Sequence, residues 1–212
     1  MAERGKYWLL EGVGRCGKTT VAPLLVKYLN DCGRIAEETR EPGGVESSED
    51  LRSLIFELKE TKSANADNLA ALFMASRYFL LKKLIVPKLE AGIDVVAGRG
   101  YPSTKVYQGL DGANFETMDL MTNVVMKDVW PDAIFFMDIS AKTAYGRRPV
   151  GAEDDPFDKL GLRHFKRVVA SYRDLYKFEE SKTNFWYRID AEPPLDQVMG
   201  QVKSVVNGIL DI

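Results

Sequence analysis

The chain has 212 residues, 45% hydrophobic and 28% charged, with a formal net charge of −2. That length suits one domain with a sizeable core, at most with an inserted lid. The near-balanced charge excludes a general binder of nucleic acid or anionic membranes. Two cysteines, Cys16 and Cys32, are too few for a disulfide framework. The single histidine, His164, excludes a multi-histidine metal site, and its charged helical surroundings place it at the surface. No apolar run approaches the roughly 18 residues that span a bilayer, and Met1 to Lys6 carry no signal-like apolar region. A cytoplasmic protein is expected.

The first strong signal is Gly12-Val13-Gly14-Arg15-Cys16-Gly17-Lys18-Thr19, which fits G-x-x-x-x-G-K-[ST]. Tyr7 to Leu10 before it read as a buried strand. Val21, Leu24, Leu25, Tyr28 and Leu29 after it recur at helical spacing. Glycines in such a turn let backbone N–H groups curl around an anion, and the following helix points its positive end at it. Lys18 is placed to reach β- and γ-phosphates, and the Thr19 hydroxyl to ligate Mg²⁺. The loop implies a nucleoside triphosphate and leaves the phosphate acceptor open.

The first helix is predicted from Lys18 to near Asp31, then a short strand from Arg34 to Thr39 that leads into Arg40-Glu41-Pro42-Gly43-Gly44. Ser47 or Ser48 is the expected cap of a helix through Leu51 and Leu58. A long helix follows from Asn65-Ala66-Asp67 to near Glu90, with Pro87 close to its end. Ile93 to Ala97 and Ala133 to Met137 read as buried strands. The first ends in Gly98-Arg99-Gly100, and the second is closed by Asp138. Helical stretches between them contain Tyr107 with Gln108, and Phe115 to Lys127. A short helix through Arg147 and Arg148 precedes a polar, acidic segment, a natural lid at about 148–160. A helix from Leu160 to Phe178, a strand from Trp186 to Ile189 and a helix from Leu195 to Ile209 complete the chain.

Strands alternating with helices predict a single α/β domain: a three-layer α/β/α P-loop fold with a parallel sheet of about five strands. Right-handed crossovers bring every strand's carboxyl end to one edge. Arg15, Arg40, Arg99 and Asp138 are therefore expected around one crevice, where several arginines suit a second phosphate. Solvated surface charge is the alternative for each arginine taken alone.

From first strand to last helix, the chain resembles the thymidylate kinases, which phosphorylate dTMP with ATP. The resemblance lies in Glu11 to Thr20, in Thr39 to Gly44 (TREPGG) and in Leu72 to Arg77. It continues in Ser103 to Gly109 (ending VYQG), in Asp155 through Phe165 to Tyr172, and in Ile189-Asp190-Ala191. It implies ATP binding by Gly12, Val13, Gly14, Arg15, Cys16, Gly17, Lys18, Thr19 and Thr20, with Mg²⁺ at Thr19. Arg40 would contact the acceptor 5′-phosphate, and Arg99 would bridge it to the transferring group. Phe73 would stack on the pyrimidine and Arg77 would donate to its O4. Their i, i+4 spacing independently puts both on one helix face; core packing is the rival reading for Phe73. Thr104 would reach the base edge, Tyr107 would disfavour a ribose 2′-hydroxyl, and Gln108 lies beside it. Arg15, in the phosphate loop, would act as the catalytic arginine with Lys18 and Arg99; the lid carries Pro156 where lid-arginine members have arginine. Arg147 and Arg148 would flank the adenine or the lid hinge, or be solvated. The family is usually homodimeric, and the long helix from Leu69 to Leu89 could supply that face or be buried within the monomer.

Two departures stand out. Gly14 occupies the loop position that is usually acidic, and Gly98-Arg99-Gly100 replaces the usual Asp-Arg-aromatic. Glu11 or Asp138 could assist the metal through water, or Asp138 could cap the next helix. Three functions follow: a dTMP kinase, a kinase for dUMP or a 5-modified dUMP, or a nucleotide-binding protein with little turnover.

Overall fold

The structure is a computed structural model that describes residues 3–147, 157 and 161–212. Five parallel strands form one sheet: β1 (Tyr7–Glu11), β2 (Ala36–Arg40), β3 (Asp94–Gly98), β4 (Ala133–Asp138) and β5 (Trp186–Asp190), in the order β2-β3-β1-β4-β5. β1 and β4 are buried throughout and β3 nearly so, which is why they read as unbroken apolar runs. The edge strands β2 and β5 bury only part of their length. The register sets Leu10 beside Gly98 and Phe135, and Arg40 beside Gly98. Glu11, Arg40, Gly98 and Asp138 thus share the carboxyl edge.

Among the described residues the helices are α1 (Lys18–Asp31), α2 (Glu46–Thr61), α3 (Ala66–Leu80), α4 (Val86–Glu90) and α5 (Tyr101–Leu110), then α6 (Phe115–Met126), α7 (Ala141–Gly146), α8 (Gly161–Glu180) and α9 (Leu195–Leu210). The expected long helix is continuous from α3 to α4, but Leu81–Ile85 between them is a wider π turn. That turn carries the chain past Pro87, whose ring would otherwise meet the carbonyl four residues earlier.

Several local expectations are corrected. α2 starts at Glu46, one residue before Ser47, with Val45 at its cap. Ser48 is fully buried, and its hydroxyl donates to the Ser76 carbonyl at 2.8 Å, tying α2 to α3. Asp138 caps nothing; Ser140 caps α7 by accepting from the Thr143 N–H. His164 is half-buried, its ring 6.2 Å from that of Tyr107, because the helix face carrying it turns inward with Phe165. Except for Phe157, the lid segment and Arg148 lie outside the described residues.

Candidate active site

The phosphate loop joins β1 to α1 with left-handed backbone at Gly12 (φ 142°), Arg15 (φ 63°) and Gly17 (φ 106°). A side chain at position 12 would meet the Met137 carbonyl at 2.8 Å and the Cys16 thiol at 2.9 Å, so only glycine fits there. Lys18 is 8% exposed, and its ammonium donates to the carbonyls of Gly12 (2.8 Å) and Val13 (2.9 Å) and to Cys16 Sγ (3.2 Å). Burial lowers its pKa. The charge is held inside the curl of the loop, where anionic oxygens could replace those carbonyls.

Lys18 and Thr19 line one side of a cavity of about 510 Å³. The rest of its wall carries Arg40, Phe73, Arg77, Arg99, Thr104, Tyr107 and Gln108. Every residue that the resemblance assigned to the acceptor therefore opens into the same space as the loop lysine. Arg77 is 2% exposed. Its Nε donates to Glu41 Oε2 at 2.8 Å, its Nη2 to Thr104 Oγ1 at 3.0 Å, and its Nη1 lies 3.0 Å from the Met74 sulfur. Phe73 packs on the core but keeps a half-buried ring toward the cavity, so its two rival roles coexist. Its ring lies 5.8 Å from Phe157, which also meets Phe56 and Tyr107. Gln108 is 1% exposed, and its Nε2 has no hydrogen-bond partner among the described residues.

The arginines do not converge as expected. Arg40 and Arg99 face the cavity. Arg40 donates to the Pro42 carbonyl (2.8 Å) and pairs with Glu49 (2.9 Å). The Glu49 carboxyl is held below its usual range by the Gly44 N–H, with Arg40 adding to the effect. Arg99 has left-handed backbone (φ 70°) and its guanidinium lies 5.3 Å from the Tyr107 ring, with Ser103 Oγ at 3.2 Å. Strained backbone of this kind persists where the surroundings over-determine it. Arg15 instead turns toward α7 and α8, its guanidinium 5.2 Å from the Phe165 ring and 3.4 Å from the Tyr145 carbonyl. Asp138 lines a separate polar cleft and is gripped by Arg173 and Arg188, each Nε at 2.8 Å. Arg147 donates to the Ala191 carbonyl at 3.0 Å.

Neither carboxylate named as a metal aid is available for that work. Glu11 is fully buried, and its oxygens accept from the N–H groups of Gly12, Gly100 and Ser103, the Ser103 hydroxyl and the Tyr172 hydroxyl. Asp138 is saturated by its two arginines. Among the described residues no three His, Cys, Asp or Glu side chains cluster as a metal site. That leaves the exposed Thr19 hydroxyl on the cavity wall, a donor set that fits Mg²⁺ carried on phosphate oxygens and water.

Sequence reasoning assigned no role here to Glu41, Arg52, Phe56, Ser103, Tyr172 or Phe157. Glu41 sits inside TREPGG, where its burial was not legible. Arg52 donates to the Pro42 carbonyl at 3.1 Å and lies 4.2 Å from the Phe56 ring, next to Arg40's own bond to that carbonyl.

A P-loop α/β/α sheet whose loop lysine shares a cavity with a buried guanidinium and buried polar side chains fits the nucleotide-phosphorylating class of P-loop proteins. Comparison with known proteins sharpens this. The thymidylate kinase family model matches residues 10–202. A thymidylate kinase of Alteromonas mediterranea is 33% identical over 205 residues, spanning 96% of this chain and 90% of that protein. One from Chlorobaculum parvum is 32% identical over 182 residues (81% and 83%), and one from Francisella philomiragia 28% over 204 residues (95% and 98%). The chain belongs to the thymidylate kinase family.

The two glycines flanking Arg99 differ in what they must be. A Cβ at Gly98 would find its nearest neighbour, the Thr39 carbonyl, 4.0 Å away, whereas one at Gly100 would press on Leu9 at 2.9 Å. Gly98→Ala should change stability by less than about 0.5 kcal/mol. Gly100→Ala should cost about 1–3 kcal/mol through overpacking. Urea denaturation of both variants checks this; equal effects would contradict it.

Proposed function

We propose that this chain is a dTMP kinase that moves the ATP γ-phosphoryl group to dTMP, giving dTDP for dTTP synthesis in the cytoplasm. The observation that carries the reading is the shared cavity, with Lys18 and Thr19 on one wall and Arg77, Thr104 and Phe73 on another. A donor-only guanidinium at the cavity's buried end suits a keto oxygen, which thymine presents at O4 and cytosine does not. Phe73 offers a face for stacking. Tyr107 and Gln108 flank the sugar side, and Arg40 and Arg99 hold the acceptor phosphate.

The acceptor oxygen is a phosphate oxygen and needs no strong base, so catalysis is positioning and charge neutralisation. Residues 12–20 wrap the donor phosphates. Thr19 would hold Mg²⁺, which would supply charge neutralisation for the donor phosphates. Arg99 bridges acceptor and transferring group. Arg15 swings from its Tyr145 and Phe165 contacts to the transferring group, where its guanidinium stabilises developing charge.

A homodimer is part of this reading. Leu120 and Val124, one turn apart on α6, are 66% and 68% exposed, and Tyr78 and Phe79 of α3 are also exposed. A solution mass twice the chain's 23.8 kDa is expected; a strictly monomeric protein would contradict the dimer.

The test of function is ADP release with ATP, Mg²⁺ and a panel of dTMP, dUMP, 5-hydroxymethyl-dUMP, UMP, dCMP and dGMP, with Lys18→Ala as blank. Preference for dTMP is expected. Preference for another acceptor would overturn the assignment, and silence with ATP still bound would overturn kinase activity itself. In the same assay Arg15→Ala should lower kcat about a hundredfold or more with little change in ATP affinity; an unchanged kcat would remove Arg15 from the chemistry.

A further inference from the structure

Arg77 and Thr104 line the cavity, and so does Glu41, the carboxylate paired with Arg77; it is 6% exposed and has one oxygen on Arg77 Nε at 2.8 Å. Its other oxygen, Oε1, has no hydrogen-bond partner among the described residues. The Thr104 hydroxyl at Nη2 and the Met74 sulfur at Nη1 are neutral contacts, so the Glu41 carboxylate is the one charged partner that holds the guanidinium plane beside the cavity.

We propose that Glu41 is a positioning residue for acceptor recognition: its carboxylate holds the Arg77 guanidinium in the orientation that reads the base, so base binding requires Glu41 to be ionised. This rests on the dTMP-kinase reading of the same cavity. The surroundings make that requirement consequential. Burial, opposed by Arg77, moves the Glu41 carboxyl up to about 7. The other charged group acting on it is Glu11 at the end of β1, which raises it further. Tyr7 of β1 faces it with a phenol that burial keeps protonated, and Tyr101 of α5, beside Arg77 and Glu11, is raised likewise. Arg99, Arg40 and Arg52 stand farther along the cavity wall. The sign follows: above about pH 7 the carboxylate is charged and Arg77 is held. Below it the acid is neutral and the competent fraction falls.

The experiment measures binding of thymidine rather than dTMP, because a phosphomonoester itself titrates near pH 6. Calorimetry would run from pH 6 to pH 8.5 on the wild type, Glu41→Gln and Glu41→Asp, with Mg·ATP affinity as the check of the folded loop. Wild-type affinity should drop about tenfold between pH 8 and pH 6. Glu41→Gln should bind thymidine weakly at every pH without that step and still bind Mg·ATP. Glu41→Asp should recover the step, since it restores the titrating charge. A pH step shared by the wild type and Glu41→Gln, or thymidine affinity unaltered in Glu41→Gln, would overturn the proposal while leaving the kinase reading intact. If the wild type binds neither thymidine nor dTMP at any pH, the acceptor assignment fails, and the proposal with it.

Discussion

The site depends on one buried carboxylate, Glu11. It leaves β1 immediately before the phosphate loop and accepts from Gly12 in that loop, from Gly100 and Ser103 at the start of α5, and from Tyr172 of α8. A buried acceptor must be satisfied, and these donors come from three parts of the chain. Their agreement on one carboxylate sets the distance between the loop that holds phosphates and the turn that carries Arg99. The left-handed backbone of Arg99, whose N–H donates to the Leu10 carbonyl, is pinned between those bonds. Gly100 lies against Leu9 because Glu11 draws its N–H in to 2.6 Å.

The fold was largely legible in the sequence because its central strands carry unbroken apolar runs and its first turn carries a motif with a mechanism. The alternation of strand and helix then leaves few topologies, and the parallel five-stranded sheet follows. What sequence could not supply was which polar groups are spent on one another. Asp138 and Arg15 both stand at the carboxyl edge, but Asp138 is consumed by Arg173 and Arg188, and Arg15 rests on Phe165. Ser48 looks like a helix cap by its neighbours and is instead a bolt between two helices. These are long-range pairings with no local periodicity. Phe73 and Arg77 were singled out by the family resemblance, with helical spacing as support that they share one face; Glu41, far from them in sequence, was not.

The cations of the site are each held by an internal partner: Lys18 on the loop carbonyls, Arg40 on Glu49 and Pro42, Arg77 on Glu41. The partners differ in exposure, and so in consequence. Arg40 and Glu49 are about half exposed, a pair worth little in water and readily exchanged for a phosphate. Arg77 and Glu41 are almost wholly buried, so separating them is costly and the guanidinium stays fixed. One cavity thus carries an exchangeable charge and a fixed one. Against that arrangement the replacement of acidic residues by Gly14 and Gly98 takes no partner from any of these cations.

The proposed transfer runs directly between two nucleotides bound in one continuous cavity. Among the described residues neither Cys16 nor His164 is poised to carry the phosphoryl group: Cys16 is 1% exposed with its sulfur on Lys18, and His164 lies against Tyr107. The decisive measurement is the stereochemistry at phosphorus, using ATP whose γ-phosphoryl group is made chiral with oxygen isotopes. A single in-line displacement predicts inversion in the dTDP formed. Retention would require two displacements through a covalent enzyme intermediate and would contradict the account.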